Sequence, residues 1–157
     1  MSRPRSPLTA LRLMYGFFAG FLATIIFHQL ALALLWVVGI SPFPPLPMGA
    51  TEPFGVPAVL SLAFWGGVWG IGYAVVDRMF PPGGRGYWVT AFLFGAIFPT
   101  LVALLVVIPA KGGPLAGGWN PWLMFTAFII NGVWGLGTGL ILTGLARHYD
   151  RPPTTTG

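Results

Sequence analysis

Few side chains in this sequence can do chemistry, and those that can sit inside apolar stretches. His28 with Gln29 beside it, Thr100 after Pro99, and Asn131 all fall within long hydrophobic runs. An imidazole at such a place can ligate a haem or a chlorophyll, relay a proton, or make one interhelical hydrogen bond. In the last case His28 or Gln29 donates to Asn131, to Thr100 or to a carbonyl freed by Pro99. A bis-histidine haem needs a second buried histidine. His148 lies at the far end of the last run, so a single chain does not supply it. A five-coordinate pigment, or a haem shared across a dimer, stays open. His28, Gln29, Thr100 and Asn131 are read together as a polar layer near mid-depth, with no metal and no resident cofactor expected.

The other reactive types are sparse. There is no cysteine, which removes disulfides, thiolate metal sites and cysteine nucleophiles. All three acids, Glu52, Asp77 and Asp150, lie outside the apolar runs or at their ends, which weakens any carboxylate-coupled pump. No Ser/His/Asp set converges, no HExxH spacing occurs, and the turn PPGGRG at 81–86 lacks the GK[ST] ending of a phosphate loop. The expectation is a protein that is not an enzyme.

Positioning those residues falls to the apolar runs themselves. The chain has 157 residues, 55% hydrophobic and 7% charged, against about 25% charged in an ordinary soluble domain. Lipid is therefore the expected solvent, and the length allows four crossings of about 20 residues each. The spans read as 13–39, 57–76, 87–108 and 121–146. The first is too long for a signal-peptide core and carries no convincing cleavage site, so the N-terminus is expected to be retained. Continuous apolar runs favour helices over alternating strands. Between them lie proline- and glycine-rich connections: Ser41 to Pro57, PPGGRG, and PAKGGPLAGGWNP at 109–121. Residues 1–12 read as a cytoplasmic segment and 147–157 as a disordered cytoplasmic tail. The fold class is all-α, an integral membrane four-helix bundle.

The cations give the direction. Arg3, Arg5, Arg12, Arg78, Arg85, Arg147 and Arg151 fall on one side and Lys111 alone on the other. This asymmetry is expected to leave both termini on the cytoplasmic side of the membrane. Because these charges flank spans and form no separate basic face, nucleic acid is not an expected partner. Tyr15, Tyr73, Tyr87, Trp88 and Tyr149 read as an inner aromatic belt, and Trp36, Trp119 and Trp122 as an outer one. Glu52 and Lys111, one in each outer loop, could pair.

An internal match carries further. Gly67-Val68-Trp69-Gly70-Ile71-Gly72 and Gly132-Val133-Trp134-Gly135-Leu136-Gly137 agree in five of six positions at an offset of 65. The preceding spans share chiefly Gly20 and Gly95. The pattern reads as a tandem repeat of two transmembrane hairpins in the same orientation. Glycines at helical spacing let a second backbone approach, so Gly16, Gly20, Gly66, Gly67, Gly70, Gly72, Gly132, Gly135, Gly137 and Gly139 are expected to pack helices, with Trp69 and Trp134 filling space beside them. Pro99 is a candidate hinge in the third span.

The run Gly72-Tyr73-Ala74-Val75-Val76-Asp77-Arg78-Met79-Phe80-Pro81, with Trp88 opening the next span and Asn131 ahead of Trp134 in the last, resembles the YagU-like inner-membrane proteins over about half the chain, from Ala63 to Leu145. The resemblance implies a four-helix inner-membrane protein with a loose link to acid tolerance, and brings no catalytic residues. The expected role is an accessory, assembly or interaction subunit whose partners are the lipid bilayer and a second copy or another membrane subunit. A small transporter or channel between the hairpins, and a haem- or pigment-binding subunit through His28, are the alternatives.

Overall fold

Ala, Leu, Val, Ile and Phe in unbroken runs satisfy their backbone groups internally by forming helices, and the computed structural model has four of them. It describes residues 9–149, with side chains as far as Ala146. The helices are α1 (Ala10–Val37), α2 (Ala58–Met79, its last three residues a 3-10 turn), α3 (Gly84–Ala110) and α4 (Pro121–Tyr149). All four are long and apolar enough to cross a membrane, the arrangement of a multi-pass membrane protein.

Local chemistry sets their ends. Thr9 caps α1 by accepting a hydrogen bond from the backbone N–H of Arg12 at 3.2 Å, so residues 10–12 are helical and the first helix starts earlier than the sequence reading has it. Asn120 caps α4, its Oδ1 accepting from the N–H groups of Trp122 and Leu123, and Pro121 occupies the first helical position, where no N–H is needed. At the other end α4 runs on through residues 147–149, which the sequence reading assigns to the tail. Residues 150–157 and 1–8, with Arg3, Arg5, Asp150 and Arg151, lie outside the described residues, as do the side chains of Arg147, His148 and Tyr149.

Two helices widen into a π-turn, α1 at Thr24–His28 and α3 at Ala103–Val107. In α3 the wide turn begins four residues after Pro99, whose missing N–H leaves a gap in the backbone ladder. The helix is continuous through Pro99. Between α1 and α2 the proline-rich connection folds into a two-residue hairpin, β1 (Ala50–Thr51) against β2 (Val56–Pro57), closed by the Thr51 hydroxyl donating to the Val56 carbonyl.

Helix α1 packs along α2, α3 packs along α4, and α1 with α4 joins the two pairs. Helices α2 and α3 meet through aromatic side chains: Tyr73 and Trp69 stand edge-on to Phe94, and Phe80 reaches Tyr87. Tyr73 is fully buried there, so it belongs to the core and not to an interfacial belt. Trp36, Trp119 and Trp122 are exposed near the opposite end.

Candidate functional site: the polar and glycine contacts of the bundle

The starts of α1 and α3 and the end of α2 lie at one end of the bundle, which carries Arg12, Arg78 and Arg85 and is called the arginine end below. Here the Arg12 guanidinium grips both carboxylate oxygens of Asp77, at 2.7 and 2.8 Å, while its Nε donates to the Ala74 carbonyl. Both side chains are largely buried, at 14% and 7% exposure, so the pair is screened little by solvent and ties the foot of α1 to α2. Sequence reading counted both charges and missed the pairing. Sixty-five residues separate them, and only the close α1–α2 crossing brings them together. Glu52 and Lys111, the pair that sequence considered, are exposed, and the ion pair among the described residues is Arg12 with Asp77.

That crossing is made by glycine. A Cβ on Gly70 would strike the Gly16 carbonyl, and one on Gly20 the Gly66 carbonyl. The α3–α4 crossing uses Gly95 and Gly135 in the same manner: a Cβ on Gly95 would strike the Asn131 carbonyl, and one on Gly135 the Ala91 carbonyl. Gly67 lies under the ring of Phe17 and Gly132 under the ring of Phe92. Gly137 lies under Phe27. Two expected packing glycines do otherwise. Gly72 faces open space, because its side of α2 has no helix against it; Gly139 makes room for the Tyr73 hydroxyl and not for a backbone.

The two tryptophans of the repeated string differ as well. Trp134 is 3% exposed and donates its Nε1 hydrogen to the Gly20 carbonyl at 3.0 Å, bridging α4 to α1. The Thr24 hydroxyl donates to the same oxygen at 2.9 Å, at the first residue of the π-turn. Trp69 is half-buried and packs edge-on against Phe94.

The expected polar layer resolves into two separate groups. His28 Nδ1 lies 3.3 Å from the amide nitrogen of Gln29, and Gln29 Oε1 accepts the backbone N–H of Leu46 at 2.7 Å. Gln29 therefore anchors the first long connection instead of reaching another helix. Apart from these, Asn131 donates from Nδ2 to the Thr100 hydroxyl at 3.0 Å, and Thr100 donates to the Ala127 carbonyl at 3.2 Å, tying α3 to α4. The sequence-level link from His28 or Gln29 to Asn131 or Thr100 is thus replaced by Gln29 to Leu46 and Asn131 to Thr100. Counting residues along a span gives depth but not how each helix is turned toward its neighbours, so the partners were not readable. Two buried hydroxyls, Thr126 and Thr138 on α4, have no hydrogen-bond partner among the described residues. Among the described residues no three His, Cys, Asp or Glu side chains come together as a metal site. A cleft of about 300 Å³ lies where the far end of α1 meets the start of α4, lined by Gly39 to Pro42, Asn120 and Trp122.

Compared with known proteins, the chain matches no family model, no curated protein and no solved structure.

Proposed function

We propose that this chain is a non-enzymatic multi-pass protein of the bacterial inner membrane, acting as an accessory or assembly subunit through contacts between helices. The observation that carries the reading is where its polar groups go. Arg12, Asp77, Gln29, Thr100, Asn131 and Trp134 each spend their hydrogen bonds on holding one part of the chain to another. Meanwhile large apolar side chains such as Trp65, Phe64, Phe18 and Leu34 face outward. In lipid such faces are the surface that a second copy or another membrane subunit can meet.

Both ends are proposed to be cytoplasmic, from the seven-to-one division of cations. The two hairpins are proposed to be a tandem repeat, supported by the matched contacts Phe17 on Gly67 and Phe92 on Gly132, and Gly20 on Gly70 and Gly95 on Gly135. The YagU-like resemblance is kept as part of the same proposal. Cross-linking in native membranes, followed by identification of what co-purifies, tests the subunit role. A protein that stays strictly monomeric and brings nothing with it would overturn it. Reporter fusions at each terminus test the orientation, and a periplasmic terminus would sink it.

A transporter or channel between the hairpins is the second reading, favoured by the unpartnered hydroxyls of Thr126 and Thr138 on α4. Liposome flux that responds to His28→Ala, Asn131→Ala and Thr138→Val would support it, and flux indifferent to all three would remove it.

A further inference from the structure

Among the described residues, the arginine end carries three arginines, Arg12, Arg78 and Arg85, and one carboxylate, Asp77. Asp77 has both oxygens occupied by Arg12 and also accepts the backbone N–H of Arg78, so this one carboxylate is shared between two arginines. Glu52, the other acid among the described residues, lies in the connection at the opposite end of the bundle. Arg78 is half-buried in the closing turn of α2, and its Nε is enclosed with no hydrogen-bond partner among the described residues. A guanidinium N–H held out of water without an acceptor is costly, and a planar guanidinium is shaped for an oxyanion. Beside it Met79 is 80% exposed and Val75 43% exposed, so the turn presents an apolar flank continuous with a cation. Across the turn Arg85 adds a second, exposed charge.

We propose that Arg78 is the centre of a binding site for a phosphate oxyanion, with Arg85 lending long-range attraction and Met79 and Val75 flanking it on the apolar side. Two sources share that chemistry, an anionic phospholipid headgroup and free inorganic phosphate. The inference needs the helices to lie in a membrane but not the subunit role, so it can fail while that reading stands.

Native mass spectrometry of the full chain in detergent micelles tests it, with phosphatidylglycerol, phosphatidylcholine and inorganic phosphate as probes. Wild type is expected to retain phosphatidylglycerol in preference to phosphatidylcholine. Arg78→Gln should weaken retention by about 30-fold, the scale of a lost charge-assisted contact. Arg85→Gln should weaken it by no more than about fivefold, as a nearby surface charge does, and Lys111→Gln at the far end should not change it. Competition by millimolar inorganic phosphate, lost in Arg78→Gln, would assign the site to the free anion. Its absence assigns the site to the lipid. Thermal melting of each variant separates loss of binding from loss of fold, and Arg78→Lys, which keeps charge without the planar fork, should fall between wild type and Arg78→Gln. Equal losses in Arg78→Gln and Arg85→Gln would mean diffuse attraction with no site. Equal retention of the two lipids together with no effect of inorganic phosphate, or an Arg78→Gln protein that binds like wild type, would also overturn the proposal.

Discussion

The indole Nε1 of Trp134 donates to the carbonyl oxygen of Gly20 across 114 positions of chain, and this contact joins the last helix to the first. It depends on two sequence features at once. A glycine keeps the α1 surface low enough for the ring to reach the carbonyl, and the tryptophan supplies a donor at the end of a large apolar body. Trp134→Phe keeps most of the ring and removes the donor. The expected cost is about 0.6 to 2 kcal/mol, read as a lower melting temperature in detergent, whereas Trp69→Phe should cost less because its ring makes an edge contact only. Equal effects of the two substitutions would contradict the assignment.

Glycine-to-alanine substitutions should divide by position and not by motif. Gly20→Ala, Gly70→Ala, Gly95→Ala and Gly135→Ala each drive a methyl into a facing backbone, and all should lower the melting temperature sharply. Gly72→Ala meets nothing within 4 Å and should be neutral or stabilising, by up to about 1 kcal/mol of helix propensity. Measuring the five variants side by side checks the outcome.

Breaking the Arg12–Asp77 pair on one side leaves a buried charge uncompensated. Asp77→Leu and Arg12→Met are each expected to destabilise by about 3 to 5 kcal/mol, and the double variant combining them to recover part of that. A thermodynamic cycle showing simple additivity would argue against direct coupling.

Gln29 and Asn131 should report on different parts of the molecule. Gln29→Leu removes the acceptor for Leu46 N–H, so hydrogen exchange should speed up in residues 43–49 while α3 and α4 are unaffected. Asn131→Leu should instead couple to Thr100→Val in a double-mutant cycle, with an interaction of about 0.6 to 2 kcal/mol. Coupling of Asn131→Leu to Gln29→Leu of the same size would restore a single polar layer.

Legibility followed the range of each cause. Span number and approximate limits were visible because a run of about 20 apolar residues is a local property, and so was the start of the last span at Pro121, but not its Asn120 cap. The packing glycines were mostly visible too, since the spacing that clears a groove lies within one helix. Which groove is filled was not. Gly70 and Gly72 look equivalent in the string, and two residues along a helix is a rotation of about 200°, so one meets α1 and the other meets nothing.

From composition and order alone came four apolar helices, their turns, and the unequal sharing of arginine between the connections, because these depend on residue types close together in the chain. The tertiary structure decided the pairings: Arg12 with Asp77, Trp134 with Gly20, Asn131 with Thr100, and Gln29 with Leu46. Each polar side chain can satisfy itself with any donor or acceptor at its level, and only the azimuth and approach of neighbouring helices choose among them.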